Sequence, residues 1–117
     1  MLVLISRRRR RIPAHDKQFI KSKWKELGPL VRENADKAIF EADKLLDYAL
    51  KKLGYEGTLG EKMKAADAHF TNSNGLWAAH KLRNKIAHEV GFNLSEEDAK
   101  NAMRQFEKAL KDLKAIK

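Results

Sequence analysis

Residues 76–89 read Leu76-Trp77-Ala78-Ala79-His80-Lys81-Leu82-Arg83-Asn84-Lys85-Ile86-Ala87-His88-Glu89. On a helix of about 3.6 residues per turn, the polar side chains of His80, Asn84 and His88 form one line along a side. The apolar residues form a neighbouring face that is expected to be buried, made by Ala79, Leu82, Ile86 and Val90. The spacing predicts a helix over about residues 75–89, preceded by the polar turn at 71–75.

The same helical spacing recurs on both sides of this stretch. It predicts helices over residues 17–27, about 30–53 and about 59–70, and a last helix after Ser95. Asp16 is the expected N-cap of the first helix, and Gly28-Pro29 is expected to break or kink it. The fold class expected from these signals is all-α, an antiparallel bundle of four to five helices.

Two local patterns support this division. Thr58 and Glu61 have the spacing of a capping box, which places a helix start at residue 59. Ser95 and Asp98 have the same spacing before the last helix, whose apolar face includes Phe106 and Leu110. Both of these large side chains are expected to be fully buried.

The helix over 75–89 also carries a group of residues suited to chemistry on RNA. Arginine offers a rigid fork of donors that fits a phosphate, and an imidazole exchanges protons near neutral pH. Arg83, Asn84 and His88 bring both groups and an amide within six residues. Cleavage of RNA by its own 2′-hydroxyl requires only proton transfer and charge stabilisation, so these groups suffice without a metal ion.

The order Arg83-Asn84-Lys85-Ile86-Ala87-His88, an arginine followed by a polar residue and a histidine five positions after the arginine, resembles the signature of the HEPN superfamily. The resemblance extends to context, because the motif lies late in an all-helical chain and before a final amphipathic helix. It implies a HEPN-like bundle that forms a homodimer and acts as a metal-independent endoribonuclease. The implied catalytic residues are Arg83, Asn84 and His88. Neither a metal nor a small-molecule cofactor is expected, and the residues expected to support RNA binding are His80, Lys81 and Lys85.

Three features depart from this expectation or leave an alternative open. Arg83 and His88 are about 140° apart on a straight helix, so a helix distortion or a second protomer must bring them together. Val90 stands where some HEPN nucleases carry a tyrosine, and Glu89 would repel RNA if it faced the groove. In the alternative, the chain is a non-catalytic helical interaction module, in which Arg83 pairs with a carboxylate and His88 suits the helix C-terminus.

The net charge of +9 is concentrated at the start of the chain. Residues 1–25 carry a net charge of +8 and residues 26–117 a net charge of +1, so the basicity is expected to belong to the leader. Residues 1–13 combine the apolar Met1 to Ile5 with Arg7 to Arg11. They are expected to be disordered, or the end of a truncated membrane anchor, before a bundle over 14–117.

The sequence also suggests a compartment. The chain has no cysteine, which fits the reducing cytoplasm. An apolar run that ends in arginines is typical of the cytoplasmic side of a membrane helix, although five apolar residues cannot span a bilayer. The expected location is therefore cytoplasmic, with membrane contact through residues 1–11 as one option and RNA as the other expected partner.

Overall fold

The structure, a computed structural model, describes residues 11–117. Within these residues the chain is all-helical and contains no strand. The five α-helices of residues 11–117 are α1 (Ala14–Glu33), α2 (Ala35–Lys52), α3 (Leu59–Ala65), α4 (Ser73–His88) and α5 (Glu96–Asp112), with a 3-10 turn at Asp67–His69. The all-α class is confirmed. None of the helices within the described range is long and apolar enough to cross a bilayer.

Helix α2 is the centre of the bundle, because α1, α3, α4 and α5 all pack against it. The hydroxyl of Tyr48, near the end of α2, donates to the Asp16 carboxylate near the start of α1 (2.6 Å), so these two helices are antiparallel. Helices α4 and α5 are also antiparallel, since Thr71, just before α4, donates its backbone N–H to Asp112 at the end of α5 (2.9 Å). The largest fully buried side chains include Ile39 and Leu46 of α2, and Phe106 and Leu110 of α5 as predicted.

Several helix ends follow the predicted local chemistry. Thr58 and Glu61 form the complete capping box of α3. The Ser95 hydroxyl accepts the backbone N–H of Asp98 at the start of α5 (3.0 Å). Asn72 caps α4 by accepting the N–H of Gly75 (3.1 Å), so the polar turn does begin this helix.

The predicted break of the first helix at Gly28-Pro29 was wrong. Helix α1 continues through Gly28 and Pro29 and ends at Glu33. Leu27 and Leu30, on either side of the Gly-Pro pair, pack on the core, and this tertiary contact outweighs the one helical hydrogen bond that a proline cannot make. The break falls instead at Asn34, whose side chain accepts the N–H of Lys37 (3.1 Å) and caps α2.

The start of α1 also differs from the prediction. The N-cap position is Pro13, and Asp16 lies in the first turn with its side chain turned inward. Ile12, which was expected to belong to the disordered or anchor segment at 1–13, is only 4% exposed and belongs to the core. Of the predicted leader at 1–13, residues 1–10 lie outside the described residues, and the bundle begins at Ile12.

Candidate functional site

The motif lies on α4, whose inner side is fixed by buried Leu76 and Ala79. Leu82 and Ile86 are half-buried against the core, as the predicted apolar face requires. Val90 does not belong to this face and is completely exposed. The helix ends at His88, and the extended backbone of Glu89 takes the chain out of helical phase before Val90 is reached.

Asp43 of α2 is the residue that organises the site. Its carboxylate is 6% exposed, on a helix face that is otherwise made of Ile39, Ala42 and Leu46. Nδ1 of His80 donates to Oδ2 of Asp43 over 2.9 Å. A buried carboxylate requires such a partner, because desolvation of an unpaired charge is costly. Asp43 therefore joins α4 to α2 and fixes the imidazole of His80.

Arg83 lies against the same carboxylate. Its Nε is 3.8 Å from Oδ1 of Asp43, and its Cζ lies 5.0 Å from the centre of the Phe40 ring. Nη1 donates to the amide oxygen of Asn84 over 3.3 Å. Nε has no hydrogen-bond partner within residues 11–117, and 31% of the side chain remains exposed. The guanidinium is thus held in place while it still presents part of its surface to solvent.

The six predicted site residues do not come together as one cluster. Arg83, Asn84 and His80 are connected through Asp43 and through each other. His88 is exposed in the last turn of α4, five residues after Arg83. Five residues correspond to about 7.5 Å along the helix axis and about 140° around it. Lys81 and Lys85 are exposed on α4, Lys81 before the motif and Lys85 within it.

Asp43 and Phe40 were missed by the sequence analysis. The apolar positions of α2 predicted its buried face, and Asp43 lies on that face at four residues after Ile39 and three before Leu46. A charged residue at a core position is a signal for a buried ion pair or a functional site. The sequence does not show which of the distant cations is its partner.

A second buried carboxylate, that of Asp16, lies between the start of α1 and the end of α2. Asp16 accepts the Tyr48 hydroxyl and has Lys52 Nζ at 3.8 Å. The hydrogen bond from Tyr48 to Asp16, with smaller contributions from desolvation and from the Asp16 charge, raises the pKa of Tyr48 above its ordinary value. This group joins α1 to α2, just as Asp43 joins α2 to α4.

Comparisons of the chain with protein-family models, with curated proteins and with solved structures found no match. The function is therefore inferred from the residues and the geometry of the site itself.

Proposed function

We propose that this protein is a metal-independent endoribonuclease of HEPN-like type that acts as a homodimer. The observation that carries the proposal is the held but partly exposed guanidinium of Arg83, on the same helix as the exposed imidazole of His88. A cation fixed before substrate arrives stabilises developing negative charge without reorganisation. A solvent-accessible imidazole at the helix end can exchange a proton with bound RNA.

The separation of Arg83 and His88 on one helix favours a site completed by two protomers. If two copies of α4 face each other across a two-fold axis, Arg83 of one protomer lies near His88 of its partner. Val90, completely exposed two residues after His88, offers an apolar contact for such an interface.

In the proposed reaction, His88 removes the proton of a ribose 2′-hydroxyl. The resulting oxygen attacks the adjacent phosphorus, and the bond from phosphorus to the 5′-oxygen breaks. The leaving 5′-oxygen takes a proton from a water molecule, which gives a 2′,3′-cyclic phosphate and a 5′-hydroxyl, and His88 returns its proton to solvent. Arg83 stabilises the charge on the phosphate oxygens. Asn84 contacts Arg83 and so orients the guanidinium, while Asp43 and His80 hold α4 in position.

Cleavage of a labelled RNA by the purified dimer tests this proposal. Activity is expected in the presence of a chelator and on RNA but not on DNA of the same sequence, which has no 2′-hydroxyl. His88→Ala and Arg83→Ala are expected to reduce the rate by about 10²–10⁴-fold while the dimer persists. His15→Ala, which removes a highly exposed histidine of α1, is the matched control and should cut like the parent. A dimer that cuts no RNA, or motif variants as active as the parent, would rule out the nuclease.

A second candidate function is a non-catalytic interaction module, and the contacts of Asp43 favour it specifically. His80 and Arg83 both reach this carboxylate, so two residues of the motif region hold α4 to α2. Under this proposal Arg83→Ala lowers the free energy of unfolding and weakens the dimer, and no RNA is cut by any variant. Analytical ultracentrifugation of the parent and of Arg83→Ala, next to the cleavage assay, distinguishes the two functions.

A further inference from the structure

A groove runs between α1 and α5, on helices other than those that carry the candidate site. One stretch of it, about 580 Å³, lies between Trp24–Arg32 of α1 and Glu96–Glu107 of α5. The next stretch, about 620 Å³, lies between Ala14–Lys21 of α1 and the chain end at Lys111–Lys117. The two stretches follow one face of α1 from Ala14 to Arg32, which corresponds to about 27 Å at 1.5 Å per residue.

The groove is strongly basic. Nine basic and two acidic side chains line its two stretches, for a net charge of +7. The basic side chains of α1 are Lys17, Lys21, Lys25 and Arg32. Those of α5 and the chain end are Lys100, Arg104, Lys111, Lys114 and Lys117. The groove between α1 and α2, about 660 Å³ in volume, has three basic and three acidic side chains and no net charge.

Almost all of these cations lack a carboxylate partner among residues 11–117. Of the nine, only Lys111 belongs to an ion pair between described residues, with Glu107 at 3.6 Å. Exposed like charges in a row repel one another and do not stabilise the fold, whereas they attract a polyanion. The lysines of α1 recur at about one per helical turn, so the charge extends along the groove.

The floor of the groove shows which polyanion fits. Trp24, Val31 and Met103 line it, and Trp24 is half-buried there. Proteins that bind single strands combine a positive groove that follows the backbone with an aromatic side chain on which an unstacked base can lie. A membrane surface requires apolar side chains that project into the bilayer, whereas these lie at the bottom of a concave surface. A duplex keeps its bases stacked and would not reach Trp24.

We propose that the groove between α1 and α5 binds single-stranded nucleic acid, with its phosphates along the basic rims and a base against Trp24. The groove lies on α1 and α5, whereas the motif lies on α4, so binding there does not require the proposed cleavage.

Fluorescence anisotropy of the full chain with a labelled 12-mer of 2′-O-methyluridine tests the proposal, because this strand has no free 2′-hydroxyl and is not cut. The test variant is the triple change Lys21→Gln, Lys25→Gln and Arg104→Gln. Its affinity at 0.1 M salt is expected to fall by roughly ten- to a hundredfold. The slope of log affinity against log salt is expected to become shallower by about 2, since each phosphate contact on a single strand contributes about 0.7.

The matched control is the triple change Lys23→Gln, Lys37→Gln and Lys44→Gln in the neutral groove between α1 and α2. It removes the same net charge from equally exposed positions. The affinity of this control for the 12-mer is expected to stay within about twofold of the parent, since its three substituted lysines lie outside the basic groove and contact no phosphate there. Circular dichroism of both triple variants verifies that the fold persists.

Four results would overturn the proposal. The first is that the parent fails to bind the 12-mer. The second is that both triple variants lose affinity equally, which would show that only total charge matters. The third is that a duplex of the same length binds as tightly as the single strand, which would show that no unstacked base is needed. The fourth is that vesicles containing phosphatidylserine bind the parent while the 12-mer does not, which would show that the basic surface binds a membrane. If the 12-mer does not bind but RNA is still cut, the proposal for the groove fails and the proposed nuclease function stands.

Discussion

Substitution of Asp43 by alanine tests whether this carboxylate holds α4 on the bundle. The change removes the 2.9 Å hydrogen bond from His80 and the ion pair with Arg83 at 3.8 Å. A hydrogen bond to a charged group contributes about 1.5–3 kcal/mol. The Arg83 pair adds at most about 0.5 kcal/mol, because the distance is long and nearly a third of the arginine is exposed to solvent.

These contributions predict that Asp43→Ala lowers the free energy of unfolding by about 2–3 kcal/mol. With a urea dependence of about 1–3 kcal/mol per molar, the midpoint of urea unfolding should fall by about 0.7–3 M. The loss stays below the total stability of about 5–15 kcal/mol that is usual for a domain, so the variant should still fold. Urea unfolding followed by circular dichroism at the helical band measures the change.

Glu41→Ala is the matched control, because Glu41 is an acidic residue two positions earlier on α2. Its ion pair with Lys44 spans 3.8 Å between exposed side chains and should contribute less than about 1 kcal/mol. A double-mutant cycle between Asp43→Ala and His80→Ala isolates the pair, and a coupling of more than about 1 kcal/mol is expected. If Asp43→Ala costs no more than Glu41→Ala, or if the coupling is near zero, Asp43 does not organise the site.

Two further predictions concern α1. Tyr48→Phe should reduce stability at neutral pH, and the difference from the parent should shrink as the pH rises above the pKa of about 10 of an unfolded tyrosine. The sign follows from the raised pKa of Tyr48, since above pH 10 the folded state keeps a proton that the unfolded state has lost. Urea midpoints of the parent and of Tyr48→Phe between pH 7 and pH 11 test this prediction. A difference between the two midpoints that stays constant with pH would contradict it. Gly28→Ala should raise the free energy of unfolding by about 0.5–1 kcal/mol, because Gly28 is helical and its added Cβ would meet no atom within 4 Å. Gly57→Ala, at a φ of +105°, should instead lower the melting temperature, and an unchanged or lower value for Gly28→Ala would show that the helix is not continuous there.

The features predicted correctly from the sequence are those determined by neighbouring residues. The capping box of Thr58 and Glu61 uses groups three positions apart, and Phe106 and Leu110 follow the spacing of a single helix face. The error at Gly28-Pro29 has the opposite cause. The local preference of this pair is to interrupt a helix, but core contacts of Leu27 and Leu30 maintain α1 through it. Tertiary contacts of this kind are not visible in a local pattern.

The candidate site shows the same division. The motif residues were found because they are close in sequence, whereas Asp43 is 37 positions from His80 and was missed. The position of Asp43 on an apolar helix face was the available signal, yet His80 and Arg83 become its partners only when α4 packs on α2. For the same reason, the helical period could not show that α4 ends at His88 and leaves Val90 exposed.

The distribution of charge carries this argument one step further. By segment, residues 1–25 hold almost all of the net charge, which led to the interpretation of a basic leader. The structure places Lys17, Lys21 and Lys25 of that segment on α1, a full member of the bundle. Lysines and arginines of α5, balanced by acidic residues elsewhere in the sequence, line the opposite side of the same groove. A net charge of +1 over residues 26–117 is therefore compatible with a strongly basic surface, because charges that cancel along the chain are separated around the bundle.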